Sequence, residues 1–410
     1  MIRKIARLAR TSPAELRFRL VERSYVVAEA GRFVTGRGRW QKPIFSRPSV
    51  VESSNLQGAA AALDRGDRRR AGIALTAHLA RREPRFALHP SDRGLIVARI
   101  QARFPSAAVD AAARADRVVN GTYDLLGYAG LTFSRGGADI DWHLDPVSGR
   151  RPAMLFWSRV PYLDPAFGDH KVIWELNRHQ HWLTLGRAAW LSPSADYPRR
   201  FRSELASWLQ QNPPYHGANW SSMLELAFRS LSWIWALHLF ADPEADDADW
   251  VVDLLGGLQT QLDHVSRHLS WYFSPNTHLL GEGLALYVAG RALPELQQAD
   301  NWEAVGRRIL LQEAHAQVQP DGGHAEQSLH YHLYALDFYL LALVIARRTG
   351  DTATDTFAEV ASRMARFCRA MADKTGRLPT IGDDDGEPSF RSVDAPPSTR
   401  RLRCAWPLPC

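Results

Sequence analysis

Four short clusters hold the side chains best suited to chemistry. The first is Trp174-Glu175-Leu176-Asn177-Arg178-His179-Gln180-His181-Trp182. On a helix Asn177 and His181 stand four apart and share a face, with Arg178 one position round. Polar groups of this kind hydrogen-bond sugar hydroxyls and pair with a carboxylate. The competing explanation is a satisfied polar network that locks neighbouring hairpins, since buried polar groups must find partners in any case. The second cluster is Gly217-Ala218-Asn219-Trp220, followed by a helix in which Ser222, Glu225, Arg229 and Ser232 form one polar stripe. Asn219 and Trp220 sit at a helix start, where backbone N–H groups and an aromatic face can receive a sugar. The chain has 14 Trp, however, and most belong in a core. Glu225 and Arg229 are four apart and read as an ordinary helix ion pair.

The third cluster, Phe273-Ser274-Pro275-Asn276-Thr277-His278-Leu279, presents Asn276 and His278 just before a helix. Together they supply neutral donors and a titratable base. Helix capping accounts for Asn276 or Thr277 but not for His278. The fourth is Pro320-Asp321-Gly322-Gly323-His324-Ala325-Glu326-Gln327-Ser328-Leu329-His330-Tyr331-His332-Leu333-Tyr334. Spacing places Gln327, Tyr331 and Tyr334 on one helical face, with His330, Tyr334 and Asp337 on the next. Three His and two Tyr in eleven residues are too polar for a routine core helix. The run lacks HExxH, so no metal and no cofactor is expected there.

The elements that must position these clusters are mainly helical. Residues 1–116 read as a basic helical leader followed by Ala/Arg-rich helices with Pro-marked turns. Residues 117–168 hold short extended runs such as Leu131-Thr132-Phe133 and Ile140-Asp141-Trp142 between Gly and Pro turns. From about 170, helices are expected near 171–190, 196–211, 220–240, 247–272, 279–290, 301–318, 325–349 and 352–373. Ser192-Pro193, Asn212-Pro213, Asp242-Pro243 and Ser274-Pro275 punctuate them. Long helices with short connections predict antiparallel pairs stacked into an array, either a closed α/α toroid or an open solenoid.

Composition sets wider bounds. The 410 residues are 45% hydrophobic and 23% charged, as in ordinary globular proteins. The net charge is +6, with Arg far outnumbering Lys, which suits an anionic partner. The Arg residues are dispersed rather than striped, which argues against nucleic acid. Cys368, Cys404 and Cys410 show no disulfide framework or metal spacing. The N-terminal MIRKIARLAR lacks the apolar core of a signal peptide, and no run of about 18 apolar residues predicts a transmembrane helix. The literal expectation is a cytoplasmic protein, with a periplasmic or membrane-surface location as the alternative. Oligomeric state is not legible.

In this order the four clusters resemble the heparinase II/III-like polysaccharide lyases, most closely those of bacterial exopolysaccharide loci. The likeness runs from about Asp141 to Gly386 and includes Ile381-Gly382-Asp383-Asp384-Asp385-Gly386. The resemblance implies an incomplete α/α toroid at 117–373 followed by an antiparallel β-sandwich. It implies metal-independent β-elimination on a uronate-containing acidic polysaccharide. Asn276 and His278 match the loop that neutralises the uronate carboxylate, and Tyr331 matches the tyrosine that acts as acid, base or both. Arg178, His181, Asn177, Asn219, Trp220, Gln327 and Tyr334 are the expected substrate-binding residues. Two departures stand out. Thr277 immediately precedes His278 where the family shows a second asparagine. Residues 374–410 end 28 residues after Gly382 in a Pro/Arg-rich tail, so the β-sandwich is largely absent and the chain reads as C-terminally truncated. Two other functions stay open. A glycoside hydrolase would use carboxylates among Glu282, Asp321, Glu326 and Asp383 to Asp385. A non-catalytic protein would bind glycan in exopolysaccharide assembly.

Overall fold

The computed structural model describes residues 11–383 except 135, 137 and 138. The leader residues 1–10, Asp384 to Gly386 of the last family motif, and the Pro/Arg-rich tail lie outside the described residues.

The chain opens with α1 (Pro13–Val34), whose N-cap Ser12 accepts from Glu15 N. Then come α2 (Arg47–Glu52), α3 (Ser54–Asp64), α4 (Arg68–Arg81), α5 (Arg93–Arg103) and α6 (Ala107–Val119). A two-stranded antiparallel hairpin follows, β1 (Tyr123–Leu125) and β2 (Tyr128–Leu131). Its two turn residues, Leu126 and Gly127, both have positive φ, the requirement of a tight hairpin turn that matches strand twist.

Four helical hairpins form the body. They are α8 (His181–Leu191) with α9 (Asp196–Gln211), α10 (Met223–Phe240) with α11 (Asp249–Arg267), α12 (Thr277–Ala292) with α13 (Ala299–Gln317), and α14 (Leu329–Thr349) with α15 (Thr354–Met371). The first helix of each pair touches its counterpart in the next, so α8, α10, α12 and α14 form an inner row. The second helices form the outer wall. Inner helices are apolar nearly all round: α12 is buried along almost its whole length. Outer helices keep one polar face to solvent, as α15 does. Early helices close the wall, α6 against α8 and α4 against α11. This is the incomplete α/α toroid.

Close approach within the α12–α13 hairpin depends on glycine. A Cβ on Gly306 would lie 2.4 Å from both Gly283 O and Tyr287 N, so the two backbones touch there. Helix α14 is the one described helix long and apolar enough to cross a membrane, but 78% of its apolar window is buried inside the protein.

Three sequence expectations need correction. The single helix across Trp174–Trp182 is two helices. α7 (His170–Asn177) ends, His179 turns at φ 58°, and α8 begins at His181. Asn177 and His181 therefore do not share a helical face. The turn is held by packing: the His179 ring stacks on Trp182 at 4.0 Å, and Trp233 Nε1 donates to His179 Nδ1 at 2.8 Å. Helix α14 begins at Leu329 rather than 325, because Gln327 takes φ 56° and Ser328 caps the helix. Glu225 and Arg229 do not pair with each other. Arg178 claims Glu225, and Arg229 donates to Gln261 Oε1 and Asn219 O.

Candidate active site

The inner helices α12 and α14 run parallel, and their N-termini lie at the same end of the toroid, joined by the loop that leads into α14. Asn276 is the N-cap of α12: its Oδ1 accepts from His278 N at 3.0 Å and from Ser274 Oγ at 3.0 Å. This geometry needs an Asn or Asp preceded by the helix-stopping Pro275. It leaves the His278 ring half-buried on the first turn.

The next contacts come from the loop after α13. The Glu326 carboxylate receives Thr277 N at 3.0 Å and Asn276 Nδ2 at 3.3 Å. Gln317 Nε2 donates to Asn276 O at 3.1 Å, while its Oε1 meets His324 Nε2 at 3.0 Å. Gly322 at φ 93° lets this loop turn flat against α15, where a Cβ would strike Arg363 O. Burial pushes the His324 imidazole down to about 4, with the nearby His332 adding to the effect. His324 is therefore neutral near pH 7. Its Nδ1 accepts from Glu326 N, so Nε2 carries the proton toward Gln317.

Two residues after Glu326, Ser328 caps α14 by accepting from Tyr331 N. Tyr331 lies half-buried on the first turn. Its ring is 5.2 Å from His330, and His330 is 4.9 Å from Tyr334. The segment Ile381–Asp383 docks on the same helix end. Leu329 N donates to Ile381 O at 3.0 Å, and Ser328 Oγ to Asp383 O at 2.5 Å. Gly382, at φ 73°, has no room for a side chain against Gln327 O. Two helix N-termini thus converge, each presenting partial positive charge suited to an anion. Tyr272 and Phe273 expose aromatic surface on the approach to Asn276.

The structure brings Asn276, His278, Tyr331 and the exposed turn residue Gln327 to this end. It does not bring the other expected substrate-binding residues to a surface. Arg178 is 1% exposed, gripped by both oxygens of Glu225 at 2.7 and 2.8 Å and by Glu175 at 3.0 Å. Its guanidinium lies over the Phe228 ring, which in turn packs on Tyr334. Two aromatic rings, Phe228 and Tyr334, thus lie between the Arg178 guanidinium and the first turn of α14. Asn177 donates to Trp142 O and accepts from Trp208 Nε1. Asn219 donates to Trp142 O and Asn212 Oδ1. His181 pairs with Glu204 at 2.8 Å. Trp220 is fully buried between Trp40 and Tyr215. Tyr334 is 3% exposed and belongs to the same core. These six side chains are committed to buried packing and hydrogen bonds.

The carboxylates of the hydrolase alternative are also placed. Glu282 is fully buried, accepting from Ser270 N at 2.8 Å and Ser270 Oγ at 2.6 Å. Asp321 caps a turn at Gly323 N. Glu326 is committed to the α12 N-terminus. Asp383 offers its backbone oxygen to Ser328, and Asp384 and Asp385 lie outside the described residues. Among the described residues, no pair of these carboxylates flanks an open cleft. Sequence reading missed the clamping role of Glu326 and Gln317. The available signal was a Gln and a Glu on either side of a Gly-Gly turn, directly before a Ser-capped helix.

Residues 50–385 match the family described as Heparinase II/III N-terminus. The chain belongs to that family. A heparin-sulfate lyase of Bacteroides thetaiotaomicron is 28% identical over 200 residues, which is 48% of this chain and 28% of the relative. A heparin-sulfate lyase of Pedobacter heparinus is 26% identical, across 52% of this chain and 29% of the relative. Among solved structures, heparan sulfate lyase HepC from Pedobacter heparinus superposes with TM-score 0.57 at 23% identity, covering 80% of this chain and 48% of that one. A heparinase III structure gives TM-score 0.61 at 19% identity, covering 83% and 49%. These likenesses establish the helical toroid. The chain spans about half the length of the solved structures it superposes on.

Proposed function

We propose that this heparinase II/III family chain is the helical half of a lyase that cleaves uronate-containing, acidic polysaccharide by β-elimination, with no metal in the chemical step. The observation that carries this reading is the convergence of Asn276, His278 and Tyr331 at two neighbouring helix N-termini. The C5 proton of a uronate is weakly acidic while the carboxylate is charged. Donors aimed at that carboxylate lower the barrier by stabilising the charge that develops on it. The Asn276 amide and the Thr277 N–H are such donors, and a carboxylate, that of Glu326, already rests on them. This supports a carboxylate-binding role for the α12 N-terminus even though Thr277 replaces the family's second asparagine.

Tyr331 and His278 share the proton transfers. One takes the C5 proton, the freed electron pair forms the C4–C5 double bond, and the C4–O bond breaks. The leaving oxygen then takes a proton from Tyr331. The basic net charge favours an acidic glycan.

The test is to incubate the chain, alone and joined to the β-sandwich half of a relative, with uronate-containing polysaccharides. The expected result is rising ultraviolet absorbance from the unsaturated product, lost in Tyr331→Phe. New reducing ends without unsaturation would select hydrolysis instead. Glycan binding without turnover in either form would select a binding role in exopolysaccharide assembly. No turnover and no binding would remove the proposal.

A further inference from the structure

Away from the proton-transfer residues, one cluster has metal-ligand chemistry and no place in the reaction above. Glu29 on α1 meets His264 and His268 at the C-terminal end of α11. The facing atoms of all three lie within 4.8 Å of one another. Glu29 Oε1 is 3.2 Å from His264 Nδ1, and Glu29 Oε2 is 3.1 Å from His268 Nε2. Ligands bound tetrahedrally at about 2.0–2.1 Å stand roughly 3.3 Å apart, so each imidazole already stands at ligand spacing from one oxygen of the same carboxylate. All three side chains are almost completely buried: 1% exposed for Glu29, 0% for His264 and 5% for His268.

The surroundings are arranged as for a held ligand set. Behind His268, Nδ1 stands 3.8 Å from Glu22 Oε1, an ion-pair distance beyond hydrogen-bond reach. Trp157 Nε1 donates to Glu29 Oε2 at 3.1 Å and fixes the carboxylate. Arg267 Nη1 approaches Glu29 Oε1 at 3.9 Å, the one cationic side chain beside the cluster among the described contacts. The His264 ring is boxed by Trp157, Tyr215 and Trp220. While Nδ1–H donates to Glu29, the His264 Nε2 lone pair is buried with no partner. When Nδ1 gives its lone pair to a cation, the proton moves to Nε2, where N–H to ring contacts suit it better.

We propose that Glu29, His264 and His268 form a binding site for a divalent transition cation of the zinc class. The residue set, two imidazoles and one carboxylate, is borderline-soft and selects zinc over magnesium or calcium. The role is structural. The site ties α1 to the end of α11, from which the chain runs through Ser270 and Tyr272 to the loop bearing Asn276 and His278. Phe18 of α1 packs on Tyr272 at 5.3 Å, so α1 braces that loop at a second point. The inference does not rest on the lyase reading.

The experiment is zinc binding by the whole chain. The metal-stripped protein is titrated calorimetrically with zinc chloride, and cobalt chloride is used to read ligand-field absorption. The expected result is a single equivalent of zinc, a rise in melting temperature, and a cobalt spectrum of low-coordinate type. Glu29→Gln and His268→Asn, checked for native circular dichroism, are expected to lose the equivalent. Hydrogen exchange across 268–276 is expected to slow on zinc addition in wild type only. Absence of stoichiometric zinc uptake by wild type would overturn the proposal and leave a hydrogen-bonded ion cluster. Uptake unchanged in both variants would also overturn it.

Discussion

At the scale of the residue, the decisive contact is Glu326 on the α12 N-terminus. A uronate carboxylate competing for Asn276 Nδ2 and Thr277 N must displace that side chain. Replacing Glu326 by Gln removes the competing charge and sets an amide N–H against the Asn276 amide, which its Oδ1 capping bonds keep from flipping. The expected outcome is several-fold tighter binding of uronate oligosaccharides by calorimetry, with a stability loss of about 1 kcal/mol. Unchanged or weaker binding would mean that Glu326 is only a loop clamp. Arg178 makes the opposite case. Removing one partner of a buried ion pair strands the other, so Arg178→Ala should cost roughly 3–5 kcal/mol in urea unfolding. A substrate-binding Arg178 would instead leave stability intact and weaken glycan affinity.

At the scale of the element, α12 carries both the site and an unusual carboxyl. Burial pushes Glu282 up to about 8, only partly offset by its hydrogen bonds from Ser270. Its unfolded value is the ordinary 4.5. Between these values the folded state holds a proton that the unfolded chain releases, so stability falls as pH rises from about 4.5 to about 8. Glu282→Gln keeps the shape and cannot ionise. The variant is expected to match wild type near pH 5 and exceed it near pH 8.5, by an amount on the order of 4 kcal/mol. Identical pH profiles in chemical denaturation would show that Glu282 is solvated. The hairpin α12–α13 also shows what its glycines do, since a side chain at Gly306 would force the two backbones apart at Gly283 and Tyr287.

At the scale of the whole molecule, several buried histidines titrate against Glu282. Burial holds His238 at about 3 and His324 at about 4, so both are neutral when folded near neutral pH. A depressed histidine contributes stability above the unfolded value of 6.5 that is lost as pH falls. From pH 4.5 to 6.5 these histidines, with His264 also held at about 4 by burial, outweigh Glu282 by at least two protons, and above 6.5 Glu282 and the raised His268 both lower stability as pH rises. The expected stability profile peaks near pH 6.5, with an acid limb of roughly 2.7 kcal/mol per pH unit, steeper than an alkaline limb of roughly 1.4. A flat plateau from pH 5 to 8 in calorimetric scans would contradict it.

Local chemistry made much of this readable from sequence. Pro and Asn punctuation, helix period and apolar faces are properties of neighbouring residues, and α9 falls at 196–211 as read. His278 and Tyr331 stood out in the sequence because helix capping does not account for them, whereas Asn276 is also an ordinary N-cap. Tertiary packing decided the rest. The Trp174–Trp182 run looked like one helix, but a ring pocket from three elements pulled His179 into a turn. Arg178, Asn177 and Asn219 looked like sugar ligands because sequence does not reveal which polar groups find partners inside. Glu29 lies 235 residues from His264, so only the folded chain could set that carboxylate between two imidazoles. Helix formation is fixed by nearest neighbours. Burial and the meeting of distant charges are fixed by how the hairpins stack.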